Sequence, residues 1–234
     1  MRLDVLKAMN AARRSRRPGI MVTRLSDGDQ RFVEGAAIGA DPLGLELESA
    51  LRRGKSGVVR LEDVDYFLTV QEPSPRLTLI GAVHISQALA PMARIVGLDV
   101  TIIDPRTAFA TPERFPDMPV IAQWPDEPLA AQPPDRYTAI CLLTHDPKID
   151  DPALAIALRS ECFYIGALGS EKTHARRLER MRAQGFEEEA LARIHAPIGL
   201  DIGAVSPAEI AVSIIGEIVA ALRKKPLRSE ALAR

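Results

Sequence analysis

Apolar positions carry a clear message between Arg76 and Arg106, where the chain reads RLTLIGAVHISQALAPMARIVGLDVTIIDPR. Leu77, Leu79 and Ile80 form an apolar run without polar alternation, as expected of a parallel strand covered on both faces. Gly81 follows where a strand must turn sharply into a helix. Ile85, Leu89, Met92, Ile95 and Val96 recur at helical spacing, and Gly97 supplies the stop. A second apolar run, Val100 to Ile103, ends on Asp104. That acid lies roughly 20 residues past the glycine turn, the spacing of the acid that takes ribose hydroxyls in a dinucleotide-binding unit.

The same alternation continues downstream. Pro119–Ala122 and Tyr137–Thr144 predict a third and a fourth strand, joined through a proline-rich exposed connection over 123–136. Asp151 is placed to cap a helix that has Pro152 in its first turn and runs to Arg159. Cys162–Ile165 predicts a fifth strand, followed by Gly166-Ala167-Leu168-Gly169-Ser170 and a basic helix over Glu171–Ala183. A short helix over Glu187–Ile194 and an irregular loop over His195–Val205 come next. Ser206-Pro207-Ala208-Glu209 is a capping box with proline at the first helical position, opening a helix that Lys224-Lys225-Pro226 ends. Strands alternating with helices give an α/β, Rossmann-like, doubly wound parallel sheet.

Upstream the pattern changes. Residues 1–14 predict an amphipathic helix, and Gly19–Leu25 and Gln30–Glu34 flank a Ser-Asp-Gly-Asp hairpin turn. A helix over Leu43–Arg53 and strands Val58–Leu61 and Tyr66–Val70 complete a small α+β module. Gln71-Glu72-Pro73-Ser74-Pro75 is a stiff polar linker. The expected division is a small N-terminal α+β domain over 1–74, a Rossmann-like domain over 75–226 and a tail over 227–234.

A formal net charge of −1 gives no global attraction to nucleic acid. No apolar run reaches the ~18 residues of a transmembrane helix, and the N-terminus has no apolar signal core, so the expected location is cytoplasmic. The two cysteines, Cys141 and Cys162, fall in apolar runs and are expected to be buried packing residues.

In a doubly wound sheet, ligands sit beyond the carboxyl ends of the strands. The groups placed there are Gly81, Ala82, Val83, His84 and Ser86, then Asp104 and Arg106, Thr144-His145-Asp146, and Gly166, Gly169, Ser170 and His174. Asp201, in a glycine-punctuated loop, joins them as a binding candidate. No catalytic residue or metal site emerges. The glycine fingerprint is incomplete: Val83 and Ser86 stand where a G-x-G-x-x-G would carry its second and third glycines. Val83 puts a branched side chain where a backbone approaches a pyrophosphate, and Ser86 sets helix and strand slightly apart. One reading of the turn is nevertheless an NAD(P)-dependent oxidoreductase or nucleotide-binding protein using Gly81 to Asp104. Thr144-His145-Asp146 suits proton transfer or hydrogen bonding to a phosphate or pterin, though neighbours on one turn rarely address one atom.

The ordered segments GAVHISQAL, VTIIDPR, LLTHDPKIDDPAL, YIGALGS with KTHARR, and IHAPIGLDIGAVSPAEIAVSI resemble the C-terminal Rossmann domain of the XdhC/CoxI family over roughly residues 75–222. These are accessory factors of xanthine dehydrogenase and carbon monoxide dehydrogenase. The resemblance implies a chaperone, rather than a catalyst, that binds the molybdenum cofactor (molybdopterin, or its dinucleotide form). It implies sulfuration of the cofactor with a cysteine desulfurase, delivery to a molybdenum hydroxylase client, and a homodimer. The N-terminal module departs from the family. Asp27-Gly28, Gly35, Ile38 and Gly39 look like remnants of its glycine-rich segment, and Pro42 stands where the family carries a cysteine. A shortened paralogue with a narrowed role is the expectation.

Overall fold

The structure is a computed structural model that describes residues 2–223. The tail over 227–234 and the Lys224-Lys225-Pro226 stop lie outside the described residues. Contacts divide the chain into one unit ending at Pro73 and a second running from Ser74 to Arg223.

In the first unit, α1 (Leu3–Arg14) precedes the hairpin β1 (Gly19–Arg24) and β2 (Gln30–Glu34), then α2 (Ala37–Ala40) and α3 (Gly44–Arg53), then β3 (Gly57–Leu61) and β4 (Val64–Gln71). The strands form one antiparallel sheet in the order β2-β1-β4-β3. Ile20, Val22, Val33, Leu43, Leu47 and Leu68 close its core. Arg31 grips Asp41 through two hydrogen bonds, and Asp41 also accepts the N–H of Leu43. The neighbouring Pro42 is exposed between α2 and α3.

The second unit contains β5 (Arg76–Ile80), α4 (His84–Ile95), β6 (Asp99–Ile103), β7 (Val120–Ile121), α5 (Asp126–Ala131), β8 (Thr138–Leu142), α6 (Pro147–Arg159), β9 (Tyr164–Ala167), α7 (Glu171–Ala183), α8 (Glu188–Leu191), β10 (Ile194–His195) and α9 (Pro207–Arg223). All six strands are parallel, in the order β10-β9-β8-β5-β6-β7. This sheet has the doubly wound dinucleotide-fold order, with its switch point between β5 and β8. Successive side chains go to opposite faces of a strand. Leu77, Leu79, Val100, Ile102, Cys141 and Tyr164 therefore pack under α4 and α9. Ile80, Ile103, Ile140, Leu142 and Ile165 pack under α5 to α8.

Several boundaries differ from expectation. The helix α6 starts at Pro147, not at Asp151, because Asp146 caps it by accepting the N–H of Lys148. Asp151 lies within the helix, its carboxylate held by Arg180. The connection over 123–136 contains α5, which buries Leu129. The fifth strand is Tyr164–Ala167, two residues later than Cys162–Ile165, so Cys162 precedes it. His195, expected to open a loop, instead belongs to the edge strand β10 beside β9.

Candidate functional site

The turn after β5 is built more tightly than its sequence indicates. Gly81 has φ +116°, and a Cβ on it would lie 2.9 Å from Thr144 Cγ2 at the end of β8. Its glycine is therefore required by close approach of two strands as well as by the turn. Ser86 is fully buried and donates to the Gly81 carbonyl. The sequence predicts a larger helix–strand separation here, but the hydroxyl ties helix to turn. Val83 is the N-cap of α4 and offers no side-chain cap. Its side chain packs against the α4/α9 core instead. The first N–H groups of α4 are left to a ligand or water.

Asp104 is fully buried at the end of β6. It accepts from the Ala82 N–H at 2.7 Å, the Arg106 N–H at 2.9 Å, and Arg106 Nε and Nη2 at 2.9 and 2.7 Å. Burial would raise its pKa, but the Arg106 fork and the two N–H donors together hold it below the usual carboxylate value. The acid placed for ribose hydroxyls thus has its acceptor positions engaged by the chain itself. Arg106, one-third exposed, lies 4.6 Å from the Phe109 ring centroid. Arg114 reaches back to the carbonyls of Ala82 and Phe109 and to Gln87 Oε1. Sequence reasoning missed this clamp, and a lone Arg in a Pro-rich loop gave no signal of it.

Thr144, His145 and Asp146 diverge. Thr144 Oγ1 donates to Asp150 Oδ1 at 2.7 Å and accepts the Asp146 N–H. His145 has φ +63° and is exposed, as is His84. Asp150 is 2 % exposed, and burial pushes its carboxyl up to about 6 despite the Thr144 hydrogen bond and the Arg177 charge. Nothing in the sequence marks it, because KIDD reads as a solvated stretch.

Gly166 lies inside β9, not beyond it, and a Cβ there would strike Ile198 and the Tyr164 hydroxyl. Gly169, at φ +129°, leads into Ser170, which caps α7 by accepting the Thr173 N–H. His174 follows in the first turn of α7, with Nδ1 buried and unpartnered among the described residues. Burial, and then the Arg177 charge, lowers its pKa. Asp201 is exposed, in a loop tethered to α9 through Leu200 and Ser213. Sequence reasoning also missed a cluster around Glu217 on α9, which accepts from the Tyr164 hydroxyl and the Gly199 N–H and bonds His195 Nδ1 at 3.0 Å. Its signal was present, since an acid inside the apolar stripe Ile214–Ile218 needs buried partners. Cys141 and Cys162 are buried thiols whose pKa burial raises, that of Cys162 to about 11.

The fold agrees with the sequence comparison. The XdhC Rossmann domain matches residues 77–218. The chain belongs to that family. It is 32% identical over 160 residues to the uncharacterized protein YqeB of Escherichia coli K12, a match covering 68% of this chain and 30% of YqeB. It is 31% identical over 146 residues to the E. coli molybdenum cofactor insertion chaperone PaoD, covering 62% and 40%. A protein of Bacillus subtilis described as a probable xanthine dehydrogenase subunit is 30% identical over 159 residues, covering 68% and 46%. The matches thus span less than half the length of these relatives. A crystal structure described as a xanthine dehydrogenase from Bacillus halodurans superposes with a TM-score of 0.68 at 23% identity, covering 94% of this chain and 64% of that one. That likeness concerns the fold. Among the described residues no helix is long and apolar enough to cross a membrane.

Proposed function

We propose that this member of the XdhC family binds the molybdenum cofactor and assists its sulfuration and insertion into a xanthine dehydrogenase- or carbon monoxide dehydrogenase-type hydroxylase. A cysteine desulfurase is its expected sulfur source, and a homodimer its expected form. The names of PaoD and of the B. subtilis relative support the cofactor and the client.

The observation that carries the reading is the N-terminus of α4. It lies at the switch point with no side-chain cap, and Asp104 joins the turn before it to the Arg106 guanidinium. Helix N–H groups, with the positive charge of Arg106 beside them although its fork is held by Asp104, suit a phosphate or pyrophosphate. The fully engaged Asp104 disfavours an adenosine ribose at the same turn. Arg106 and the first turn of α4 would hold the phosphate, and His84 would bond a pterin edge. The buried Cys141 and Cys162 do not fit as sulfur ligands to molybdenum. The cofactor supplies the redox metal of the client, and this chain binds and shields it.

The test is purification from a cofactor-producing host, followed by mass and absorbance analysis of what co-purifies. The expected outcome is about one pterin cofactor per chain at saturation of a single site. Calorimetry showing micromolar NAD binding with no pterin binding would reverse the assignment to a nucleotide-dependent oxidoreductase.

A further inference from the structure

Arg177 is buried on a helix whose sequence reads as a solvated basic face. It is 2 % exposed, and its one hydrogen-bond partner among the described residues is the Leu168 carbonyl, which accepts from Nη2 at 2.8 Å. Nε and Nη1 are buried without a partner. One turn earlier, His174 Nδ1 is in the same condition. A guanidinium carries five N–H donors and cannot escape the cost of burial by losing its proton at ordinary pH. Buried and unpaired, each missing bond is expensive.

Arg177 also forms part of the wall of a cavity of about 220 Å³ between the start of α6 and the first turns of α7. His145, Asp150, Thr173, Arg176 and Arg180 line it too. The volume is below the 300–1,000 Å³ typical of drug-sized ligand sites, so the occupant is small or is one group of a larger molecule. Three arginines and one acid, Asp150, line it. Arg180 is already neutralised by Asp151. Asp150 gives its contact to Thr144 and makes no hydrogen bond to Arg177. The charge left over is positive.

We propose that this cavity is a binding site for a phosphate-type oxyanion, anchored by Arg177 and assisted by Arg176 and His145. The ligand is a phosphate monoester or the free ion, since both present the same oxygens. Arg176 and Arg177 together outweigh the Asp150 carboxylate, and below about pH 6, where burial leaves that carboxyl protonated, it donates to an anion instead. The inference stands without the cofactor reading, because it concerns α6 and α7 and not the α4 turn.

The experiment uses the full chain with inorganic phosphate and glycerol phosphate as probes, followed by calorimetry and by the Arg177 Nε–H resonance. Saturable millimolar binding is expected, with movement of that resonance. Arg177→Met should weaken binding at least about ten-fold, a loss of ~1.4 kcal/mol. Because Arg177→Met removes a buried group and can compromise folding, Arg176→Glu serves as the second variant. It should weaken binding several-fold with an unchanged circular dichroism spectrum. Tighter binding of the ester identifies the phosphorylated end of a larger molecule as occupant, and equal binding identifies the free ion. Absence of saturable binding by either probe overturns the proposal, as does equal affinity in wild type and Arg176→Glu with an unmoved Arg177 resonance.

Discussion

Asp150→Asn should make the protein more stable at alkaline pH. Burial is the largest influence on this carboxyl and lifts it from the ordinary 3.8 to about 6, after the opposing pull of Thr144 and Arg177. That difference corresponds to about 3 kcal/mol of native-state destabilisation when both native and unfolded chains are ionised. The sign follows from proton binding. Between roughly pH 6 and pH 4 the native state holds a proton that the unfolded chain has lost, so acidification through this window stabilises the fold through this group. Below roughly pH 4 both states are protonated and the effect is gone. Asparagine keeps an acceptor for the Thr144 hydroxyl and never carries the charge. The variant should therefore exceed wild type by about 2–3 kcal/mol near pH 8 and match it near pH 4. Urea unfolding across this range, followed by the fluorescence of Trp124, reports on the second unit, because Trp124 is the chain's one tryptophan. A variant less stable than wild type at pH 8, or a pH-independent difference, would refute the reasoning.

Asp104 should behave in the opposite sense. Its folded pKa is lowered, so its contribution is present above the unfolded value of 3.8 and is lost as pH falls through the folded value. Asp104→Asn should cost about 1–3 kcal/mol at neutral pH, read by the same unfolding assay, because it leaves Arg106 and the Ala82 N–H without their carboxylate. Val83→Gly should cost about 1 kcal/mol from lost packing, with no gain in diphosphate affinity by calorimetry, since the side chain lies on the core. Ten-fold tighter diphosphate binding would mean instead that Val83 gates the crevice. Cys141 and Cys162 should label slowly with a thiol reagent in the native state. Serine at each should cost about 1–3 kcal/mol through a buried hydroxyl. Cofactor loss in a normally folded serine variant would make that thiol a ligand.

The sheet was legible because its strands announce themselves twice, by unbroken apolar runs and by turn residues at their ends. Leu77–Ile80 and Val100–Ile103 pair in register from Leu77 opposite Val100 to Ile80 opposite Ile103, as a βαβ unit requires. The Ser206 box closes as read, with Glu209 accepting the N–H groups of Val205 and Ser206. What stayed hidden was every place where a polar residue is buried by a distant partner. Asp150 and Asp151 read as the approach to a helix and its cap until Thr144 and Arg180 are brought to them inside α6. THARR reads as a wet helix face until Arg177 is found beneath it. β10 is two residues long, too short for periodicity to register.

Two of the buried acids differ in a way that bears on the site. Asp104 and Asp150 follow the strands on either side of β5, β6 and β8, yet their environments push them apart. One is locked as a carboxylate by an adjacent arginine fork, and the other is kept near its titration point by burial. A pair separated in this way marks different roles. The locked acid cannot accept from a ligand without releasing Arg106, so the β5 turn serves as a rigid floor with helix N–H groups as its free donors. The titrating acid lies where Arg177 has unpaired N–H groups and where a cavity remains. The oxyanion site proposed above therefore lies towards β8 and α7, beside the dinucleotide position at β6 rather than on it. A Rossmann domain that has filled its own ribose site is thereby left with donors suited to phosphate oxygens rather than to sugar hydroxyls.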